Sequence, residues 1–289
     1  EFTSQQGVMG AYYAKAAGEH EDVAIAMSDH YRPRFAGDEL PRNIAGCVVA
    51  VADKLDTIAG MFAIDEPPTG SKDPFALRRS AIGILNILRE KLHIGYEELV
   101  PVALEAYAEQ GIEFDAGAVC ASVCAFIKGR LEQMARDEKI DADTVAAVSA
   151  GSVSAPVDYF ALAHALKDAR DSDADTFDNL ATAYARASHL ADADLGVDVD
   201  ASLLGDAERE LLQASDAAQA AVDAAFSAKD FTAVIAALAG LRAPVDRFFD
   251  EVLVMDQDEA LRTNRLRLLN RFEAVFSDVA NIGELARKK

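Results

Sequence analysis

Apolar residues recur along this chain at three- and four-residue intervals almost throughout, the period of an α-helix with one buried face. Leu77, Ala81, Leu85, Leu88 and Leu92 form one such stripe; Leu261, Leu268, Phe272, Val275, Phe276 and Val279 form another. Helix starts are marked in the sequence. Asp73 followed by Pro74 reads as an N-cap and first helical residue, where proline forfeits no hydrogen bond. Asp141 and Ser154 are similar candidates. No run alternates with period two. The apolar "GCVVAVA" at Gly46–Ala52 fits a buried helix, since alanine is a poor strand former. The pattern predicts an all-α protein.

Composition supports this. The 289 residues include no tryptophan and few glycines and prolines, and much of the hydrophobic 51% is alanine. That length suits one large or two medium domains. The small-residue stretch "AVSAGSVSAPVD", Ala146–Asp158, marks a boundary, giving expected domains at 1–150 and 151–289. No apolar run reaches the ~20 residues of a membrane span. The N-terminus has neither signal-peptide character nor an initiator methionine, so the expectation is a piece of a longer protein. An odd number of cysteines (Cys47, Cys120 and Cys124) without a secretory signal argues for a reducing, cytoplasmic setting. Cys120 and Cys124 share a helix face and read as small buried apolar side chains.

The formal charge of -21 argues against a generally basic nucleic-acid binder but leaves room for a local patch. Charge is unevenly distributed. From Leu241 to Lys289 nine Lys/Arg balance nine Asp/Glu, and within that segment "LRTNRLRLLNR" holds Arg262, Arg265, Arg267 and Arg271 with no acid. The helical stripe puts Leu261, Leu268 and Phe272 inward, so these arginines are expected to flank it and point outward. Their planar forks suit phosphate oxygens, and salt bridges to neighbouring acids are the equal alternative. A second cationic group, Lys72, Arg78 and Arg79, lies in "PTGSKDPFALRR". Its "TGSK" is not a P-loop, because serine precedes lysine and no strand leads in. A helix N-terminus there still has free N–H groups for an anion.

Other constellations are weaker. His20, Glu21, Asp22, His30, Asp53 and Asp56 raise a metal-dependent phosphohydrolase, yet the chain has no adjacent His-Asp dyad. Asp192, Asp194, Asp198 and Asp200 lack EF-hand spacing and read as a solvated acidic loop between helices. No nucleophile elbow is present, and His93, His164 and His189 read as surface or half-buried polar residues.

Five blocks carry a family resemblance: "EFTSQQGVMGAYYA", "YRPRFAGDELP", "VADKLDTIAGMF", "PTGSKDPFALRRSAIGIL" and "ALRTNRLRLLNRFEAVFSDVANI". In order and over nearly the whole chain, they resemble the C-terminal portion of the β subunit of the bacterial heterotetrameric glycyl-tRNA synthetase. The resemblance implies an HD-like helical domain followed by a DALR-type anticodon-binding helical bundle. Asp258, Ala260, Leu261 and Arg262 fall at the name-giving motif, with Glu259 inserted. Asp53 resembles the closing aspartate of an HD domain whose earlier ligand positions would precede residue 1, so no metal ligands are assigned. The α subunit would hold most of the aminoacylation centre, leaving this portion without catalytic residues. ATP and Mg2+ would serve the full α2β2 enzyme. The implied partners are tRNA(Gly) and the α subunit, in the cytoplasm and away from membranes. Phosphate contact would fall to Arg262, Arg265, Arg267, Arg271, Lys72, Arg78 and Arg79. A phosphohydrolase, or a helical scaffold that docks the catalytic subunit, are the alternatives. Two positions depart from the family pattern: Asp65 stands where glycine is expected, and Asn86 where arginine is usual.

Overall fold

A computed structural model describes residues 5–287. Its described residues contain thirteen α-helices and no strand; an isolated bridge between Thr69 and Lys72 closes a tight turn. The expected all-α class is what the chain adopts.

The helices fall into two compact units. One holds residues up to Met134 together with Ser154–Val157; the other holds Ala135–Val153 and the chain from Asp158 onward. In the first, α2 (Glu21–Asp29), α4 (Leu77–Ile87) and α5 (Tyr96–Glu109) assemble around α3 (Ile44–Ala63), and α1 (Val8–Ala16) packs on α2. The long α3 turns Cys47, Ala50, Val51, Leu55, Ile58 and Ala59 inward. It also buries Lys54, whose Nζ donates to the carbonyls of His30 and Arg32 at 3.0 Å each. Burial pulls the Lys54 pKa down, against the pull of neighbouring Asp53. This unit also holds all but the last three residues of α6 (Ala116–Asp137).

The second unit contains α7 (Ala142–Ser149), α9 (Ala174–Leu190), α10 (Asp206–Ser227), α11 (Phe231–Ala239), α12 (Arg242–Glu251) and α13 (Glu259–Ala274), together with most of α8 (Pro156–Ser172). Here the contacts divide the chain earlier than composition suggests. The reason is α7, which is fastened to the C-terminal turns: Asn281 N donates to Ala147 O at 2.9 Å, and Ser152 N donates to Asp278 O at 3.2 Å. Between those bonds Gly151 lies so close that an added Cβ would stand 2.5 Å from Val279 O. A backbone atom cannot swing aside. Gly151→Ala is therefore expected to cost about 1–3 kcal/mol, read as a lower urea midpoint by circular dichroism; an unchanged midpoint would show that this junction yields freely.

Local expectations differ in three places. Asp73 does cap α4, but from further upstream: Pro74 and Phe75 form a turn, and Ala76 takes a left-handed conformation at φ 55 before the helix begins at Leu77. Ser154 lies upstream of the cap position, because α8 begins at Pro156. Cys120 and Cys124 are half-buried instead of sealed in the core. Burial, with Cys120 beside it, pushes the Cys124 thiol up to about 12. Asp65 sits at φ 60, the left-handed region that glycine occupies without strain, which gives the expected glycine a physical reason.

Candidate nucleic-acid interface

The C-terminal arginine cluster lies on α13. Its N-cap is Asp258, whose carboxylate accepts from Ala260 N at 2.8 Å and Leu261 N at 3.3 Å. Leu268, Leu269 and Phe272 are buried, and Phe272 meets Phe276 and Tyr184 in an aromatic cluster with centroid spacings of 5.0–6.4 Å. The inward stripe read from the sequence holds from Leu268 through Val279, while Leu261 is only half-buried. The outward direction of the arginines does not hold.

Arg265 is largely enclosed, with a side chain 14% exposed against 38% for Arg271. Its Nε donates to Glu208 Oε1 and its Nη1 to Asp256 Oδ2, each at 2.7 Å, and Nη1 also reaches Leu253 O. Arg271 Nε meets Asp216 Oδ1 at 2.5 Å. Arg262 Nη1 donates to Asp256 O at 2.9 Å, and Arg267 reaches the carbonyls of Leu195 and Asp198 at 3.1 and 3.4 Å. The physical reason is position. On its flanks α13 meets α10, which supplies Glu208 and Asp216, the acidic segment 192–200, and the loop that precedes α13 itself. A flank that faces other protein pairs with carboxylates and carbonyls before it meets solvent.

Sequence reasoning missed the residues that organise this face. Asn264 and Asn270 are buried on α13. Asn264 accepts from Asp200 N at 2.7 Å and donates to Asp200 O at 3.0 Å; Asn270 accepts from Asp192 N and donates to the carbonyls of Asp192 and Gly196. The four-aspartate stretch is accordingly no loose loop. Its backbone is clamped, and Asp192 and Asp200 each cap a short 3-10 turn. The available signal was two asparagines beside the leucine stripe, where a polar residue needs partners. A cation–π stack was also invisible: Arg186 on α9 lies 4.2 Å above the Phe249 ring of α12.

In the first unit, the second cationic group is more open. Asp73 Oδ1 accepts from Leu77 N at 2.8 Å and Oδ2 from Arg78 N at 3.0 Å, so a carboxylate already occupies the donors at the start of α4. An anion has no vacant helix terminus there. Arg78 Nη1 lies 4.0 Å from the same carboxylate. Lys72 and Arg79 are exposed, and neither has a carboxylate within ion-pair distance among the described residues. Asp53 and Asp56 are exposed on α3, and among the described residues no three His, Cys, Asp or Glu side chains converge as a metal site would require.

Comparison with known proteins settles the lineage. The family profile for the glycyl-tRNA synthetase beta subunit matches residues 1–150, and that of the DALR anticodon binding domain matches residues 180–282. The glycine–tRNA ligase beta subunit of Acinetobacter baylyi is 41% identical over 289 residues, and that of Aeromonas hydrophila 44% over 290; each alignment covers 99% of this chain and 41% of the relative. The chain belongs to the glycyl-tRNA synthetase beta subunit family. It spans about two fifths of the length of these beta subunits and matches their C-terminal region. Asp258, Ala260, Leu261 and Arg262, with the whole of α13, lie inside the DALR match. No helix of the described residues in this beta-subunit portion is long and apolar enough to cross a membrane.

Proposed function

We propose that this chain is the tRNA-binding portion of a glycine–tRNA ligase beta subunit, contributing recognition of tRNA(Gly) and its anticodon to ATP-dependent attachment of glycine. The observation that carries the reading is the 40–44% identity sustained over 99% of the chain, together with an anticodon-binding match over its last third. In this reading a cytoplasmic α2β2 enzyme holds the aminoacylation centre in its α subunit, where ATP and Mg2+ act, and this portion supplies no catalytic residue. The first unit is HD-like, with Asp53 of α3 as the remnant of that motif.

The geometry ranks the seven cations proposed for phosphate contact. Lys72 and Arg79 offer charge without breaking any internal bond. Arg262 and Arg267 bond carbonyl oxygens, which leave their charge unneutralised. Arg78 sits within range of Asp73, and Arg265 and Arg271 are committed to carboxylates, so these are the last to turn toward RNA. The global negative charge then suppresses indiscriminate binding while local cations make productive contacts.

The test is a titration of tRNA(Gly) across salt concentrations. Lys72→Ala with Arg79→Ala is expected to weaken binding uniformly and to lower the salt slope by roughly 2, about one per lost phosphate contact. An unchanged slope would remove the α4 group from the site. Binding of tRNA(Gly) no tighter than that of a tRNA for another amino acid would sink the reading as a whole.

A further inference from the structure

The exposed face shared by α3 and α5 has no role in the arrangement above. A 390 Å³ cleft runs between these helices, lined almost wholly by apolar side chains that include Val48, Val51, Leu55, Leu99 and Val102. Such residues are ordinarily turned inward, yet Val48 is 52% and Val102 64% exposed. Ile94 of the lining is exposed too, and on α3 so are Ile44 and Val49. A contiguous patch of this kind marks a contact surface more often than a chance exposure.

The rims have one sign. Asp56 lines the α3 side, with Asp53 exposed one residue short of a turn before it; the α5 side carries exposed Glu105 and Glu109, which follow Val102 at helical spacing. Two cations neighbour lining residues in sequence: Lys54, beside Leu55, is buried with its Nζ on the carbonyls of His30 and Arg32, and Lys91, beside Leu92, lies at one end. An apolar floor between two parallel acidic edges is complementary to an amphipathic helix whose apolar stripe is flanked by Lys or Arg. Nucleic acid is disfavoured by the rim charge, and a second copy of this acidic chain would bring like charge to like.

We propose that the α3–α5 cleft is a docking groove for a basic amphipathic helix of another polypeptide, separate from the cations offered to tRNA. The experiment uses the whole chain and a labelled amphipathic helical peptide of leucine and lysine, with a leucine–glutamate peptide of the same pattern as its counterpart, both followed by fluorescence anisotropy. The basic peptide is expected to bind at least about tenfold more tightly than the acidic one, helix-in-groove recognition requiring both the stripe and its flanks. The decisive variant is Val48→Asp with Val102→Asp. It makes the protein more negative, so peptide held by charge alone binds as well or better, whereas peptide seated on the apolar floor loses about tenfold or more in affinity. Both side chains are more than half exposed, so the variant is expected to keep its helical circular dichroism; if it does not, the single change Val102→Asp is read instead. Equal binding of the two peptides, or binding undiminished in the valine variant, overturns the proposal. So does a dimer of the unmodified chain that the same variant dissolves in sedimentation, or an RNA oligonucleotide that the variant releases.

Discussion

Replacing Arg265 with alanine is expected to destabilise the second unit by about 3 kcal/mol, the scale of breaking a largely buried ion pair by removing one partner. Glu208 is 4% exposed and loses the guanidinium on Oε1, keeping only the Gly205 N–H on Oε2. Asp256 and the Leu253 carbonyl lose the other end of the fork. The effect is local, so amide exchange is the suitable measurement: protection in α10 and α13 should fall by roughly a hundredfold while α3 stays unchanged. Adding Glu208→Gln to the variant removes the stranded charge and should restore part of the loss. If Arg265→Ala leaves exchange untouched, the ion pair is dispensable and the side chain is free to meet RNA. This outcome matters for reading tRNA experiments, because an Arg265 variant that binds poorly and exchanges quickly has lost its fold before it has lost a phosphate contact.

The stripes of α4 and α13 were legible because helical burial follows from spacing alone. Leu77, Leu85 and Leu268 are buried where the period puts them. The direction of the arginines was not legible, because it depends on which elements lie against the flanks of α13. Glu208 and Asp216 stand 57 and 55 residues before Arg265 and Arg271, on another helix. No local rule joins them. The same holds for Asn264 and Asn270, whose partners lie 64 to 78 residues away. At the α4 start, the sequence identified Asp73 as a cap but not the extra turn through Ala76. That turn carries the Asp73 carboxylate onto two amides and so closes the anion site that the glycine and lysine suggested. Lineage was legible for a different reason: long ungapped blocks identify a family even where the packing behind them is invisible.

Asp29→Asn is expected to cost the first unit a comparable amount, about 2–3 kcal/mol, as the loss of a charge-assisted hydrogen-bond network. Asp29 ends α2 and is 1% exposed. Its Oδ2 accepts from Arg42 N at 3.0 Å and Arg42 Nε at 2.8 Å; its Oδ1 accepts from Arg42 Nη2 and Ser28 Oγ, each at 2.9 Å. Burial raises the Asp29 pKa, but the Arg42 bonds and Ser28 outweigh it and bring the group from 3.8 down to about 2. A folded-state pKa below the unfolded one means stability that is present above the unfolded value and is lost as pH falls through the folded value. The contribution is therefore full near pH 7, at about 2 kcal/mol, and roughly half of it is gone at pH 3. Other carboxylates titrate over the same range, so the informative quantity is the difference between the two proteins. Unfolding free energies from urea titrations of the natural chain and the asparagine variant should converge between pH 7 and pH 3, by about 1 kcal/mol. Parallel profiles would mean that Asp29 holds its proton alike in both states, and that the network around Arg42 stabilises through packing instead of charge.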